Sequence, residues 1–571
     1  MHKKNWDYFF FPFLFFVFSF SFSFSQKSSK IDHGQISFPE IDKNSSTDSS
    51  SKIRKIKLQH ANSLEFDKKL GIDAKRLIGN VIFEHEGALM YCDSAYLYSD
   101  NSMDAFGNIH IRQGDSIHLY GDLLNYKGNE KKAKVQKNVR LIEKDMTLTT
   151  DTLYYSTRDK IANYQTGAKI VNKDNILTSQ YGNYYSASKD FLFKKNVVLT
   201  NPEYVMNCDT LRYNTISKTA YFLGPTTIKG KSNFIYCENG WYNTDLDISQ
   251  FNKNAYLISK EQKIKSDSLY YDRKRAFGKA FQNVEIIDTV QKINISGGYG
   301  EYHENSGNAF VIDKALLMEI FEKDTLFLHA DTLSTGYEGV KMEDENKKIE
   351  EKSEKIENKK QKTKEKSKII EQPVAKNDQK TTKDKPRIMY AYHKVKFYKS
   401  DMQGRCDSLV YTYRDSVMRL FKDPVMWSDK NQLTAEKIEL KTSRGKLDKL
   451  FLTNLAFIIS QEDTLKYNQI KGKTMTGFFA DNKLRRVKVE GNGQSIYYAK
   501  DGKKMIGVNK ADCTDMMIYL KNNQIEKITF IKKPDATLYP MKELKPEELL
   551  LKGYTWRIQQ RPYSIKDIFV W

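Results

Sequence analysis

The sequence predicts an all-β protein, an elongated antiparallel β-jelly-roll or bent-strand trough built from two-strand repeats of roughly 29 residues. Three observations predict this fold class. Two short motifs alternate along the chain, apolar and polar residues alternate between turn signals, and no repeat has helical periodicity. Aromatic residues make up 13% of the chain, with 35 Tyr and 32 Phe. This favours strands, because flat rings pack well on a half-buried pleated surface.

The two motifs recur at a nearly constant spacing. The first is a small residue or Cys, then Asp, then typically Ser or Thr, Leu and an aromatic residue, at Cys92–Tyr96, Gly121–Tyr126, Asp151–Tyr155, Cys208–Tyr213, Asp267–Tyr271, Asp331–Leu333 and Cys406–Tyr411. The second centres on an Asn-type position, at 80, 108, 138, 167, 196, 225, 254 and 283. The register resumes near Lys394, Pro424 and Asn454, and the chain as a whole is predicted to contain roughly 13 units.

Each unit is expected to form two strands, as residues 116–143 illustrate. Ser116–Tyr126 alternates and ends at a Lys-Gly-Asn turn signal, and Lys132–Glu143 alternates again. Within the second strand Val139 faces one side and Arg140 the other, which is the period of a strand with one buried face. Gly and Asn at fixed positions inside strands indicate bends, so stacked units are predicted to form a V-shaped trough.

The chain begins with the features of a secretory signal peptide. Lys3 and Lys4 precede an apolar run at Tyr8–Phe24, and Ser25 stands before Gln26, where cleavage is expected. A retained anchor is the alternative, although the run is short for a bilayer span. The expected segments are a signal peptide at 1–25, a disordered lead-in at 26–55, repeats at 56–340, a charged low-complexity linker at 341–386, repeats at 387–535, and a C-terminal helix and tail at 536–571.

Charge and cysteine content limit the possible binding partners and the possible metal or redox chemistry. The formal net charge of +21 is compatible with anionic membrane surfaces, phosphorylated lipids or nucleic acid, or with solubility alone. Five cysteines are present, and the lack of a Cys-x-x-Cys pair argues against zinc or thioredoxin-like chemistry. Cys208 and Cys237, 29 residues apart, are either a disulfide on neighbouring units or small buried thiols beside a bend.

No catalytic motif is present, so the chain is predicted not to be an enzyme and to need no cofactor. His110 and His118 lie on adjacent predicted strands with Asp115 between them, where a metal site is the alternative to solvent-facing polar side chains. The repeated Asp is single in each unit, unlike the clustered acids of calcium-binding β-repeats. We expect it to bond to nearby backbone at the bend instead.

The predicted interior is the candidate functional site. A groove for an anionic amphiphile is one interpretation, because the apolar lining accompanies a basic chain, and a filled core is the other. The candidate lipid-binding residues are Val81, Phe83, Ile109, Ile111, Leu124, Val139, Leu141, Leu153, Val197, Leu199, Leu211, Leu269, Val284, Ile286 and Leu409.

At these repeats the chain resembles the OstA-like family, the lipopolysaccharide-transport protein A type. The residues that carry the resemblance include Gly79-Asn80-Val81-Ile82-Phe83 and Asp151-Thr152-Leu153-Tyr154-Tyr155. The likeness covers most of 56–340 and, more weakly, 387–535. The chain is longer than the simple family member, and its length and Phe-rich start resemble the form in Bacteroidetes-type bacteria.

The resemblance implies a periplasmic bridge protein that shields the acyl chains of lipopolysaccharide in its apolar interior. It also implies end-to-end partners among other jelly-roll transport proteins, including an outer-membrane translocon, and a location in the periplasm with an association with the outer membrane. Open terminal strands are compatible with such joining, because they offer unpaired backbone. An exported structural or adhesive scaffold with a filled core is the alternative, and nucleic acid is not an expected partner.

Overall fold

Nearly all of the described chain is extended. The computed structural model describes residues 55–66, 74–85, 87–115, 117–156, 158–231, 233–259, 262–289, 292–303, 306–322, 324–337, 386–443, 446–480, 483–502, 504–521, 524–541 and 543–571. The predicted signal peptide, nearly all of the lead-in and nearly all of the charged linker lie outside these residues. In the described part, no helix has the length and apolar character needed to span a bilayer.

The described residues form two compact units. The first unit contains residues up to 257 and 272–274, and the second contains 258–271 and the residues from 275 onward. The strands from the start to the division are β1 Lys57–His60, β2 Ser63–Glu65, β3 Ala74–His85, β4 Ala88–Tyr98, β5 Ser102–Gln113, β6 Ile117–Lys127, β7 Lys132–Glu143, β8 Met146–Ser156, β9 Ile161–Tyr164, β10 Ala168–Asn172, β11 Asn175–Ser179, β12 Tyr181–Tyr185, β13 Asp190–Asn201, β14 Tyr204–Asn214, β15 Thr219–Gly230, β16 Asn233–Asn243 and β17 Ile248–Ser259.

The remaining strands are β18 Gln262–Asp272, β19 Phe277–Asp288, β20 Ile293–His303, β21 Asn308–Ile312, β22 Leu316–Ile320, β23 Thr325–His329, β24 Thr332–Tyr337, β25 Arg387–Lys399, β26 Met402–Thr412, β27 Val417–Phe421, β28 Val425–Ser428, β29 Asn431–Thr434, β30 Lys437–Ser443, β31 Lys446–Gln461, β32 Tyr467–Ala480, β33 Lys483–Asp501, β34 Lys504–Lys521, β35 Gln524–Ile531 and β36 Asp535–Tyr539. Successive strands pair antiparallel, as in β3 to β8. The predicted all-β class is therefore confirmed.

Most long strands bend at the Gly/Asn position of the repeat. In β3, Gly79 and Asn80 have φ of 79° and 47°, and the pairing register with β4 shifts between Ile78 and Val81. Two consecutive residues in the left-handed region insert extra backbone opposite the partner strand, which kinks the strand. The same pair of left-handed residues recurs at 107–108, 137–138, 195–196, 253–254, 282–283, 393–394 and 422–423.

The bends divide the sheet of each unit into two walls. In β3, Ala74–Ile78 belong to wall 1 and Val81–His85 to wall 2. In the second unit, Leu409 and Leu450 of wall 1 share one hydrophobic cluster with Phe397 and Met426 of wall 2. The two walls of that unit therefore pack face to face around a single core.

The strands on either side of the charged segment are neighbours in the sheet. Tyr337 at the end of β24 pairs directly with Arg387 at the start of β25, and Thr332 pairs with Tyr392. The repeat pattern of the second unit thus continues across this segment. The compact division of the chain falls near residues 258–275.

After β36, the regular structure in the described C-terminal residues consists of 3-10 turns. Where a C-terminal helix was predicted, within 536–571, the structure has a 3-10 turn at Pro546–Leu549, and two more follow at Ile558–Gln560 and Ile565–Phe569. Pro546 occupies the first turn position, where a missing N–H leaves no bond unmade.

Candidate functional site: the apolar interior of the bent sheet

Most of the predicted lining residues are enclosed between the walls. The buried members of that set are Val81, Phe83, Ile109, Leu124, Val139, Leu153, Val197, Leu199, Leu211, Val284 and Leu409. Four others are partly buried, namely Ile111, Leu141, Leu269 and Ile286. Val81 and Phe83 have no exposed area at all, so water does not reach this part of the interior.

The two faces of a strand differ as their alternation indicates. Val139 is 1% exposed, while Arg140 is exposed and its guanidinium lies 5.0 Å from the ring centroid of Tyr120 on the outer face. An acyl chain between the walls would therefore meet Val139 and not Arg140. Lipid binding at this inner face stays a prediction.

The two sequence motifs meet at several of the bends. The side-chain amide of Asn108 donates to Asp93 at 2.8 Å, and that of Asn138 donates to Asp122 at 2.6 Å. Asn283 and Asp267 repeat the contact at 2.9 Å. The Asp was expected to accept from backbone, but at these bends its partner is an amide on the neighbouring strand. The amide thus holds a left-handed residue beside the carboxylate.

The apex of the interior, where the walls converge, accepts only small side chains. The residue before each bend carboxylate faces inward, and Cys92 and Cys208 there pair with Val81 and Val197. At the equivalent Gly121, an added Cβ would lie 2.5 Å from the Val135 Cγ1 atom. Small residues at this position follow from the lack of space.

All five cysteines are free and buried. Their positions are equivalent in the repeat, so Cys208 and Cys237 lie two strands apart on β14 and β16 rather than opposite one another. Burial raises the pKa of the Cys92, Cys208, Cys237 and Cys406 thiols to about 12. These thiols are therefore neutral at ordinary pH and act as small apolar groups.

The far ends of the walls approach each other through aromatic and imidazole side chains. His85 Nδ1 of wall 2 and the Tyr126 hydroxyl of wall 1 lie 2.6 Å apart, and both residues are buried. Further along the first unit, Tyr213 and Tyr204 are also buried, and burial raises the pKa of Tyr213 to about 12. The contact between His85 and Tyr126 closes the far end of the interior at this point of the first unit.

The two candidate metal ligands do meet. His110 Nε2 and His118 Nδ1 are 3.1 Å apart, and the His110 ring stacks on Tyr120 at 4.5 Å. In the part of the chain that the structure describes, no group of three or more His, Cys, Asp or Glu is placed to hold a metal ion. Burial and the neighbouring His118 lower the pKa of His110, which favours a neutral His110 ring.

A second layer over the second unit was not predicted. Residues 543–571, hereafter the strap, lie along the outer face of wall 2. A row of directly paired side chains crosses that wall beneath the strap, in the order Gln403, Trp427, Gln432, Ile459, Gln469 and Ile496. All six are at most 3% exposed.

Two alternate members of this row, Gln432 and Gln469, hold the strap by its backbone. The Gln432 side chain donates to the Thr555 carbonyl at 2.7 Å and accepts from the Arg557 N–H at 2.7 Å. Gln469 makes the same pair of bonds with Leu549 and Leu551, at 2.8 Å and 2.9 Å. Such paired bonds satisfy buried amides that would otherwise be costly.

Charged side chains fix the rest of the strap. The Arg557 guanidinium makes two bonds to the Asp423 carboxylate, at 2.6 Å and 2.5 Å, and holds the pKa of that carboxyl below its usual range. The Arg405 guanidinium lies 4.1 Å from the Trp571 ring centroid, and Lys396 donates to the Val570 carbonyl. A signal for this layer exists in the unbroken apolar run 456–459, because a strand covered on both faces does not alternate.

The fold and site define a class: an all-β repeat protein whose bent strands enclose an apolar interior. Residues 53–209 and 206–267 match the model of the family described as OstA-like protein, so residues 53–267 are an OstA-like region. A search of curated proteins found no match. Among solved structures, the chain is similar to LptH, the LptA-homologous periplasmic component of the lipopolysaccharide transport device from Pseudomonas aeruginosa. The identity is 14%, the match covers 25% of this chain and 99% of that one, and the TM-score is 0.19.

Proposed function

We propose that the chain is a lipopolysaccharide-binding bridge protein of the periplasm that shields acyl chains between its two walls on their way to the outer membrane. The observation that supports this most directly is the apolar inner face, which repeats from strand to strand through the OstA-like region. The proposal assigns the protein a transport role without catalysis or a cofactor. An association with the outer membrane is part of the same proposal.

Energetics favour such a cargo once the walls are apart. Each buried CH2 group contributes about 0.8 kcal/mol, so an acyl chain of about ten carbons gains about 8 kcal/mol. Opposing this are the packing of residues such as Phe83 and the contact between His85 and Tyr126. We expect these far-end contacts to open first, because the bends hold the walls together at the apex.

End-to-end joining to other jelly-roll proteins, including an outer-membrane translocon, is supported by the terminal strands. β1 and β2 pair with β3 along one edge, and in the described part of the chain no strand covers their other edge. Leu64 beside this edge is 53% exposed. Unpaired N–H and C=O groups accept a strand from another protein.

Native mass spectrometry of the purified chain, titrated with lipopolysaccharide, tests the proposal. Val139→Asp and Leu199→Asp should each lower lipid loading, because a carboxylate would face the acyl chains. Arg140→Asp is the matched control on the outer face and should load normally. The complete burial of Val81 and Phe83 favours a second candidate, a filled structural or adhesive scaffold. Protein that stays lipid-free in excess lipopolysaccharide would support that scaffold and contradict the bridge.

A further inference from the structure

The outer face of wall 1 in the second unit carries a ladder of alternating cations and aromatic rings. Lys449 pairs with Phe478, Phe478 with Arg486, Arg486 with Tyr519, and Tyr519 with Lys527, each on the next strand from β31 to β35. Neighbouring strands are about 4.8 Å apart, so the ladder is about 19 Å long.

Contacts within the ladder are between cations and ring faces. The Arg486 guanidinium lies 4.4 Å from the Phe478 ring centroid, with Lys449 Nζ at 5.7 Å from the same ring. Lys527 Nζ is 5.8 Å from the Tyr519 ring. Within the described part of the chain, none of these three cations takes part in an ion pair. Their charge is therefore available to an external anion.

The ladder points away from the core. Val487 directly follows Arg486, and Ile518 directly precedes Tyr519. These two neighbours are 4% and 1% exposed and belong to the core of the unit. Arg486 and Lys527 are exposed, and Tyr519 is 39% exposed. The strap lies on wall 2 of the same unit, whereas none of the residues that the structure describes covers this outer face of wall 1 over these strands.

Nearby carboxylates do not cancel this charge. Glu490 pairs with Lys488 at 2.6 Å, and Glu526 pairs with Lys521 at 3.8 Å. Both carboxylates thus have lysine partners outside the ladder. The three cations of the ladder remain as an uncompensated positive row on a sheet surface.

We propose that this ladder docks the second unit on the surface of an anionic lipid bilayer. Half-exposed aromatic rings flanked by cations are typical of the membrane–water interface, where rings lie at headgroup level and cations meet lipid phosphates. Single-stranded nucleic acid also binds to surfaces with cations and aromatic rings, but its bases stack on ring faces that must be free. Here Arg486 and Lys449 flank the Phe478 ring, which favours the bilayer.

Co-sedimentation of the full chain with vesicles tests the inference, using phosphatidylglycerol mixed with phosphatidylcholine and, for comparison, phosphatidylcholine alone. The chain should bind the anionic vesicles, with an affinity that falls as salt is added. Each cation near such a surface raises the affinity for it about fivefold. The triple variant Lys449→Gln, Arg486→Gln, Lys527→Gln should therefore bind anionic vesicles on the order of 100-fold more weakly.

The matched control removes the same charge elsewhere. Lys75→Gln, Lys169→Gln and Lys229→Gln change three exposed lysines of the first unit and should leave binding within a fewfold of the parent. Equal losses in both triple variants, no binding to anionic vesicles, or binding only to a single-stranded oligonucleotide would each overturn the inference. A chain that takes up lipopolysaccharide but ignores vesicles would overturn it while leaving the proposed function intact.

Discussion

Asn108 and Asp93 define the bend of the repeat: the Asn108 amide donates to the Asp93 carboxylate at 2.8 Å while its own backbone stays left-handed, with φ of 45°. Asn is one of the few side chains that tolerate this backbone region, and Asp supplies a charged acceptor for its amide. The recurrence of this pair therefore explains why Asn and Asp alternate along the chain.

Replacing Asn108 should loosen the first unit locally. Asn108→Ala removes the amide and places a less tolerant residue in the left-handed region, at a cost of about 1–2 kcal/mol. We expect faster hydrogen–deuterium exchange in peptides from β4 and β5. Asn108→Gly keeps the backbone freedom and removes only the amide, so it should have a smaller effect. Equal exchange in both variants and the parent would contradict this account of the bend.

Gly107 allows the Asp93 carboxylate to lie against the backbone. Gly107→Ala should destabilise the protein more than Gly114→Ala, although both residues have positive φ, of 73° and 60°. Both substitutions incur the left-handed cost of about 1 kcal/mol, but a Cβ at 107 also overlaps the carboxylate, while one at 114 has no heavy atom within 4 Å. Urea unfolding midpoints measure the difference. Identical midpoints for the two variants would argue against the close approach.

The cysteines should be unreactive in the folded protein. Burial raises the pKa of four thiols to about 12, and the thiolate is the reactive form, so the native chain should react slowly with a thiol reagent at pH 8. All five thiols should react promptly in denaturant, because they are free. Rapid modification of two or more thiols in native protein would contradict the apex geometry.

Gln469 should hold the strap in place. Gln469→Ala leaves the Leu551 N–H and the Leu549 carbonyl without their partner, at a cost of about 1–3 kcal/mol. Exchange of strap peptides should then rise while exchange in the first unit is unchanged. Gln180→Ala, at an exposed position, is the control and should alter neither. A strap that stays protected in Gln469→Ala would show that its hold comes from Arg557 and the apolar contacts.

Much of the fold could be predicted from the sequence because the repeat is local. Alternation around Val139 and Arg140 assigned the inner and outer faces, and the fixed Asn positions located the bends. The partner of Asp93 could not be predicted, because the register between strands brings together residues 15 apart that no local pattern connects. Lipid binding by the lining residues stays a prediction, because a filled core would bury the same side chains.

The strap was missed for a different reason. Gln432 and Gln469 hold it through its backbone, which carries no side-chain pattern, and it has little regular structure of its own. The sequence gives only a partial signal for the glutamines beneath the strap, because Gln403 and Gln432 stand 29 residues apart at equivalent repeat positions. Their role becomes evident only when the strap lies over them.

Photo-crosslinking to lipopolysaccharide tests the central claim most directly. A photoreactive, apolar amino acid at position 139 or 199 keeps the inner face free of charge, and the same group at position 140 probes the outer face of the same strand. If acyl chains pass between the walls, lipopolysaccharide adducts should form from 139 and 199 and be absent from 140. Adducts of equal yield at 139 and 140, or none from either inner position, would contradict an interior path for the lipid.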